Sequence, residues 1–249
     1  MNVMITGYGK MGKLIEEILT QRGHTVACRV DKGGYGDYTA VTKENLHGVD
    51  AVIEFALPQG MEESIKLYSE NGISTVVGTT GWDDKKKVIT DIVKQNSGSF
   101  LYGTNFSIGA NIFFNLVSKA ADLINLTPDY DIMMLEYHHK QKKDSPSGTA
   151  LTTANRIIEK CKKKDTIWTN KLDREIKENE LHVASVRGGH IPGIHAVTLD
   201  SIADSIEIKH TARNRYGFAL GAVMAAEWLI GREGFYQVED FMNDFLKEK

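Results

Sequence analysis

Asn2 to Thr6 is a short apolar run that ends in Gly7-Tyr-Gly-Lys-Met-Gly12, and beyond it the apolar spacing changes from that of a strand to that of a helix. Met11, Leu14, Ile15, Ile18 and Leu19 recur at i, i+3, i+4, i+7 and i+8, which is one face of an α-helix. Gly23 is placed to cap its C-terminus. A second strand follows over His24 to Val30 and ends in Asp31-Lys32. Further strands are expected at Ala51 to Ala56, Ile73 to Gly78 and Ser99 to Tyr102, separated by helices at Met61 to Glu70 and Asp83 to Lys94. Strand and helix alternating at this spacing specify an α/β fold with a Rossmann-type, doubly wound parallel sheet.

In that setting the three glycines gain meaning. The loop follows a strand, opens a helix and has an acid, Asp31, at the end of the next strand, which is the context of a dinucleotide fingerprint. Gly7 permits a tight turn, Gly9 lets the backbone approach a pyrophosphate, and Gly12 allows the helix to pack closely on the strand. Gly78-Thr-Thr-Gly81 lies at another strand end, where ligands of such sheets gather. Taken without context, each of these would be a structural turn.

The second half changes character. Ile108 to Asn125 reads as a long, mostly apolar helix, followed by a strand from Tyr130, a helix over Thr149 to Lys160, and strands at Leu181 to Val186, Ile194 to Ile202 and Ser205 to Lys209. This is the pattern of an α+β domain with an open mixed sheet. The charged stretch Lys162 to Lys177 reads as a solvated face or loop. The final helix, Phe218 to Ile230, is apolar all round and is expected to be buried.

Chemistry concentrates in Glu136-Tyr-His-His-Lys-Gln-Lys-Lys-Asp-Ser-Pro-Ser-Gly-Thr-Ala150. Two histidines and three lysines lie between a strand and the Ser-Gly-Thr that starts a helix. Free N–H groups and the helix dipole favour an anion there. Lys142 adds positive charge, and His138 can move a proton near neutral pH. A metal site of His138, His139, Asp144, His190 and His195 is disfavoured, because adjacent strand residues face opposite ways and the lysines repel a cation. Ser147 lacks the setting of a nucleophile elbow. Cys28 and Cys161 are too few for a disulfide framework and fit a reducing compartment. The formal net charge of −3 excludes a uniformly basic nucleic-acid binder. No apolar run is long enough to span a bilayer and no signal peptide is evident, so a soluble, cytoplasmic chain is expected.

These residues carry a resemblance. Glu136-x-His-His-x-x-Lys-x-Asp-x-Pro-Ser-Gly-Thr-Ala150, with Gly9-Lys-Met-Gly12, Gly78-Thr-Thr-Gly81, Asn105-Phe-Ser-x-Gly109, Arg187-Gly-Gly, Gly193-x-His195 and His210-x-Ala-x-x-Arg215, is similar to the 4-hydroxy-tetrahydrodipicolinate (dihydrodipicolinate) reductase family. The glycine loop is one residue shorter than in many members. The resemblance implies a discontinuous dinucleotide-binding domain at 1–106 and 217–249, a substrate-binding and oligomerisation domain at 107–216, and a homotetramer. It implies NADH or NADPH as cofactor and a cyclic imine dicarboxylate as substrate, with no nucleic-acid or membrane partner and no metal. By the same resemblance His138 and Lys142 are catalytic, and His139, Lys142, Ser147, Gly148 and Thr149 bind substrate. The implied cofactor contacts are Gly7, Tyr8, Gly9, Lys10, Met11, Asp31, Lys32, Gly78, Thr79, Thr80, Gly103, Thr104, Asn105 and Phe106. Asp31 would meet the ribose 2′-hydroxyl and Lys32 a 2′-phosphate, so use of both nucleotides is expected. Two rival readings are a different two-domain dehydrogenase and a non-catalytic NAD(P)H sensor.

Overall fold

A computed structural model describes residues 1–247 of the 249-residue chain. The chain divides into two compact units, Met1–Ile108 with Arg215–Lys249, and Gly109–Asn214.

The first unit begins with β1 (Asn2–Thr6), α1 (Lys10–Gln21), β2 (Thr25–Val30), β3 (Ala51–Glu54), α2 (Met61–Glu70), β4 (Ser74–Val77), α3 (Lys86–Gln95) and β5 (Ser99–Tyr102). The second unit takes up α4 (Ile108–Leu123), β6 (Asp131–His138), α5 (Gly148–Lys160), β7 (Thr166–Trp168), β8 (Glu180–Arg187), β9 (Ile194–Asp200) and β10 (Ser205–Thr211). The chain then returns to the first unit with α6 (Tyr216–Leu229), β11 (Gly234–Gln237) and α7 (Val238–Lys247).

Unit 1 is a six-stranded sheet in the order β11-β5-β4-β3-β1-β2, every pair parallel. Because side chains alternate across a strand, Val52 and Ile53 serve opposite faces. Ile53 joins Ile15, Ile18 and Leu19 of α1 and Ala222, Val223 and Ala226 of α6. Val52 joins Ile65 and Tyr68 of α2 and Ile89 and Val93 of α3. Helices on both faces explain why the strands read as nearly continuous apolar runs. Unit 2 is a five-stranded mixed sheet, β10-β9-β6-β8-β7, in which β6 runs parallel to β8 and antiparallel to β9. Helices α4 and α5 cover one face through Phe113, Phe114, Val117, Ala154 and Ile157, packed on Ile132, Met134, Val183, Val197 and Leu199. The alternate residues of β6 and β8 turn the other way, and Met133 is 40% and Val186 44% exposed there.

The doubly wound sheet and the mixed second sheet agree with the sequence. Three elements do not. Strands β7 and β11 were not expected, and α7 follows the helix taken as the last. The lysine run is also corrected in part. Lys163 Nζ donates to the carbonyls of Thr127 (3.2 Å), Pro128 (2.6 Å) and Tyr130 (3.0 Å). Lys164 is buried, donates to the Glu178 carbonyl at 2.8 Å and pairs with Asp131 at 2.6 Å. These two ammonium groups tie chain segments together instead of facing solvent.

Candidate active site

Strand periodicity and register build the site. Glu136 and His138 are two residues apart on β6 and therefore share a face. Register sets His195 of β9 and Ser185 of β8 opposite Glu136, and Arg187 of β8 opposite His138. Glu136 is fully buried, and its Oε1 accepts from the Ser147 N–H (2.9 Å), the Ser185 hydroxyl (2.8 Å) and Arg187 Nη2 (2.8 Å). Its Oε2 lies 3.3 Å from His138 Nδ1 and 3.4 Å from His195 Nε2, and makes no aligned hydrogen bond. Burial alone would push the Glu136 carboxyl up, but His195, Ser147, Arg187 and Ser185 together hold it well below the ordinary carboxylate range. It is a buried anion.

His138 is also buried. Desolvation pushes its imidazole down to about 4; Glu136 opposes this, while His195, Lys142 and Arg187 add to it. In the free protein His138 is neutral at pH 7. The loop after β6 is anchored to the segment after β8, with the His139 N–H on the Ile191 carbonyl (2.8 Å) and Arg187 Nη2 on the Asp144 carbonyl (2.6 Å). Lys142 pairs with Asp144 at 2.8 Å and is close enough to bear on His138.

Ser147 is the N-cap of α5, its Oγ accepting from the Ala150 N–H at 3.1 Å and lying 3.2 Å from His195 Nε2. It is buried, whereas Gly148 is exposed and Thr149 half-buried. No acidic residue lies in the first turn of α5. The Asp144 carboxylate, held by Lys142, already bonds the Gly148 backbone at this helix start, which shows that the N-terminus of α5 beside Lys142 is a setting that a carboxylate favours. His139 falls outside the buried cluster and His190 is exposed. Among the described residues, the one group with metal-ligand spacing is Glu136, His138 and His195. Arg187 already neutralises that carboxylate and Lys142 adds positive charge, a poor setting for a cation.

Ser185 is absent from the sequence reading, and Glu136, Arg187 and His195 entered it in family motifs without a role, His195 also as a disfavoured metal candidate. The Glu136–His138 spacing was a legible signal. The cross-strand partners depend on register, which the sequence does not display.

In unit 1 the glycine loop has the geometry that a dinucleotide needs. Gly7 has φ +88°, and a Cβ there would lie 2.6 Å from the Phe55 carbonyl oxygen. A Cβ on Gly12 would lie 2.4 Å from the Gly7 carbonyl oxygen, so α1 packs against its own loop. Gly9 faces open space and is the N-cap of α1, with no side-chain cap and no acid in the first turn. Lys10 and Met11 form that first turn. Asp31 accepts the N–H groups of Tyr8 (2.8 Å) and Gly33 (2.8 Å), joining the end of β2 to the loop. Lys32 Nζ donates to the Gln59 carbonyl at 2.7 Å. Thr79 is buried, its hydroxyl on the Ala56 carbonyl (2.9 Å), while Thr80 and Thr104 are exposed. Gly103, Asn105 and Phe106 are buried at the end of β5. The open cradle at Gly9, the helix N-terminus without a side-chain cap or first-turn acid, and the acid at β2 suit a nicotinamide dinucleotide.

Comparison with known proteins places this geometry. Residues 1–106 match the model for the dihydrodipicolinate reductase N-terminus, and residues 109–242 match that for its C-terminus. The 4-hydroxy-tetrahydrodipicolinate reductase of Christiangramia forsetii is 40% identical over 247 residues, covering 99% of this chain and all of that protein. The reductase of the same name from Archaeoglobus fulgidus is 32% identical, covering 97% of this chain and 100% of its own. A solved dihydrodipicolinate reductase from Paenisporosarcina sp. TG-14 with dipicolinate bound has the same fold, with TM-score 0.77 at 23% identity over 96% of this chain and 98% of that one. With both halves matched along nearly their full length, the chain belongs to the 4-hydroxy-tetrahydrodipicolinate reductase family.

Proposed function

We propose that His138 is the proton donor and Lys142 the carboxylate-binding and charge-stabilising partner in this family's reaction. That reaction is the NAD(P)H-dependent reduction of 4-hydroxy-tetrahydrodipicolinate, or the dihydrodipicolinate derived from it, to tetrahydrodipicolinate in the diaminopimelate–lysine pathway. The carrying observation is the placement of His138 and Lys142 around the Ser147-capped N-terminus of α5.

When bound, a reduced nicotinamide would supply a hydride to C4 of the conjugated imine. Electrons then pass into an enamine that takes a proton at C3, and His138 gives it. Lys142, His139 and the N–H groups of Gly148 and Thr149 hold a substrate carboxylate and stabilise the developing charge. Ser147 serves this mainly as the cap that fixes the helix start, since its hydroxyl is already engaged. The backbone of Gly7 to Met11 and the N-terminus of α1 would hold the pyrophosphate, and Asp31 the adenosine ribose. Gly78 to Thr80 and Gly103 to Phe106 complete the cofactor contacts. Lys32 reaches a 2′-phosphate by exchanging its hydrogen bond to the Gln59 carbonyl, which lets either nucleotide serve.

The uncovered face of the unit 2 sheet, carrying Met133, Leu135, Tyr137 and Val186, packs on further copies of this chain to give a homotetramer. Among the described residues no helix is long and apolar enough to cross a membrane; we place the enzyme in the cytoplasm with its soluble substrate.

The test is oxidation of NADH and NADPH with synthase-generated substrate. Turnover is expected with both. His138→Gln should lower kcat by about 10²–10⁴-fold with little change in nucleotide binding. Lys142→Ala should lower kcat and raise KM together. No turnover with either nucleotide, or a His138→Gln variant near wild type, would overturn the assignment.

A further inference from the structure

Glu136 has no part in the chemistry above, yet it is a fully buried carboxylate beneath the proton donor. We propose that Glu136 is the positioning residue for His138: ionised under the imidazole, it holds the ring through Nδ1, directs Nε2 to the space beside Gly193, and supplies the negative charge that lets His138 carry the proton it donates. The inference rests on the reading of His138 as the donor.

The carboxylate is locked before His138 is considered. Three donors from three directions converge on Oε1: the Ser147 backbone, the Ser185 hydroxyl and Arg187. They fix the plane of the carboxylate and leave Oε2 turned toward two imidazoles, 3.3 Å from His138 Nδ1 and 3.4 Å from His195 Nε2. Oε2 makes no hydrogen bond in this state. A buried acceptor left unsatisfied is costly, and a protonated Nδ1 turned into line with Oε2 removes that cost. The other edge of the ring meets a residue with no side chain. A Cβ on Gly193 would stand 3.0 Å from His138 Nε2. Glycine keeps that nitrogen clear, so it is the one available to a substrate.

The surrounding charges explain why an anion is required there. His138 faces His195 from β9, Arg187 from β8 and Lys142 from the loop after β6, while His210 of β10, paired in register with His195, does not act on it directly. His195, Lys142 and Arg187 each disfavour an imidazolium at His138 when charged, and so does burial. Glu136 alone among them favours it. Arg187 pairs with the same carboxylate but through Oε1, and so leaves Oε2 for the ring. A substrate with two carboxylates adds negative charge to that of Glu136, and the donor is loaded as the substrate binds.

Glu136→Gln keeps the volume and an amide oxygen for the Oε1 donors while removing the charge. The experiment is the pH dependence of kcat between about pH 6 and 9 for wild type and E136Q, with synthase-generated substrate and saturating NADH. At pH 7.5 kcat should fall by about 10²-fold. The pH above which kcat declines should move at least about one unit lower, since the acid loses its proton more readily. KM for NADH should change by less than about twofold, because unit 1 is untouched. If E136Q does not fold, E136Q/R187M removes the unpaired guanidinium and is read the same way. An active wild type whose E136Q variant keeps its pH profile, with kcat unchanged or scaled equally at every pH, overturns the role of Glu136 alone. A wild type without turnover, or an active His138→Gln, overturns the functional reading and the role of Glu136 with it.

Discussion

His138 poses a problem at the scale of one residue. A general acid works best with a pKa near the working pH, yet burial and cationic neighbours push this imidazole down to about 4 in the free protein. On the proposal that His138 is the donor, the substrate dianion would resolve it, because opposite charge nearby favours the protonated ring. The two rate parameters should then separate. kcat/KM reports the free enzyme, so it should fall as pH rises through the range above about 4, following loss of the protonated acid. kcat reports the loaded complex, and its decline should begin at distinctly higher pH. Steady-state profiles of both parameters between about pH 5 and 9 decide this, and coincident limbs would mean that substrate charge does not load the donor. The residues of the proposed site were unequally visible in the sequence. His138, Lys142 and Ser147 stand out because a cationic loop meeting a helix start has few structural uses. Glu136 carried the same two-residue spacing that places any pair on one strand face. His195, Ser185 and Arg187 are remote in sequence and meet Glu136 only through strand register, a non-local property.

Elements show the same division between local and non-local information. Helix α1, its glycine loop and Gly23 follow from spacing over neighbouring residues, and the structure agrees with them. Helix α7 carried a legible stripe, Val238, Phe241, Met242 and Phe245 at i, i+3, i+4 and i+7, whereas the four residues of β11 are too few to display a period. Strand β3 conceals a different feature. Its last residue, Glu54, is 2% exposed with Tyr68 Oη 3.3 Å from its carboxylate, and Tyr68 Oη lies 3.2 Å from Thr6 Oγ1. Desolvation raises this carboxyl to about 7, against hydrogen bonding from Tyr68 and the charge of Lys32. Here the folded-state pKa is raised above the unfolded one, so the folded state binds the extra proton between about pH 4.5 and 7. Stability from this group is therefore greatest below about 4.5 and is lost as pH rises to about 7. The loss amounts to roughly 3 kcal/mol in order of magnitude. Glu54→Gln, which retains a polar group for Tyr68, should melt higher than wild type at pH 8 and show little or no gain at pH 5. Thermal denaturation followed by circular dichroism at both pH values tests it. An equal shift at the two would locate the effect outside the titration.

Across the whole chain, the route between units sets what each can bury. The chain leaves unit 1 after β5 and comes back to it only at α6, whose apolar surface fills one face of the parallel sheet, and then adds β11 at the edge. Unit 1 therefore has helices on both faces of its sheet. Unit 2 has α4 and α5 on one face, while β6 and β8 turn Met133, Leu135, Tyr137 and Val186 the other way. Those side chains are apolar at alternate positions, the pattern expected of a sheet face that meets another protein surface, whereas a solvated face carries polar residues there. A stable assembly of this kind buries on the order of 2,000 Å² or more with an apolar centre, and a carboxylate placed in that centre is penalised by desolvation. Val186→Glu puts a charge into the patch beside Tyr137 without touching the His138 cluster, since residues 186 and 187 point to opposite faces of β8. Light scattering coupled to size exclusion should give the mass of four chains for wild type and a smaller species for Val186→Glu, with far-ultraviolet circular dichroism unchanged. A wild type that elutes as a single chain at micromolar concentration would show that this face is solvated and would remove the tetramer from the proposal. A Val186→Glu variant that keeps the four-chain mass would move the contact to another surface.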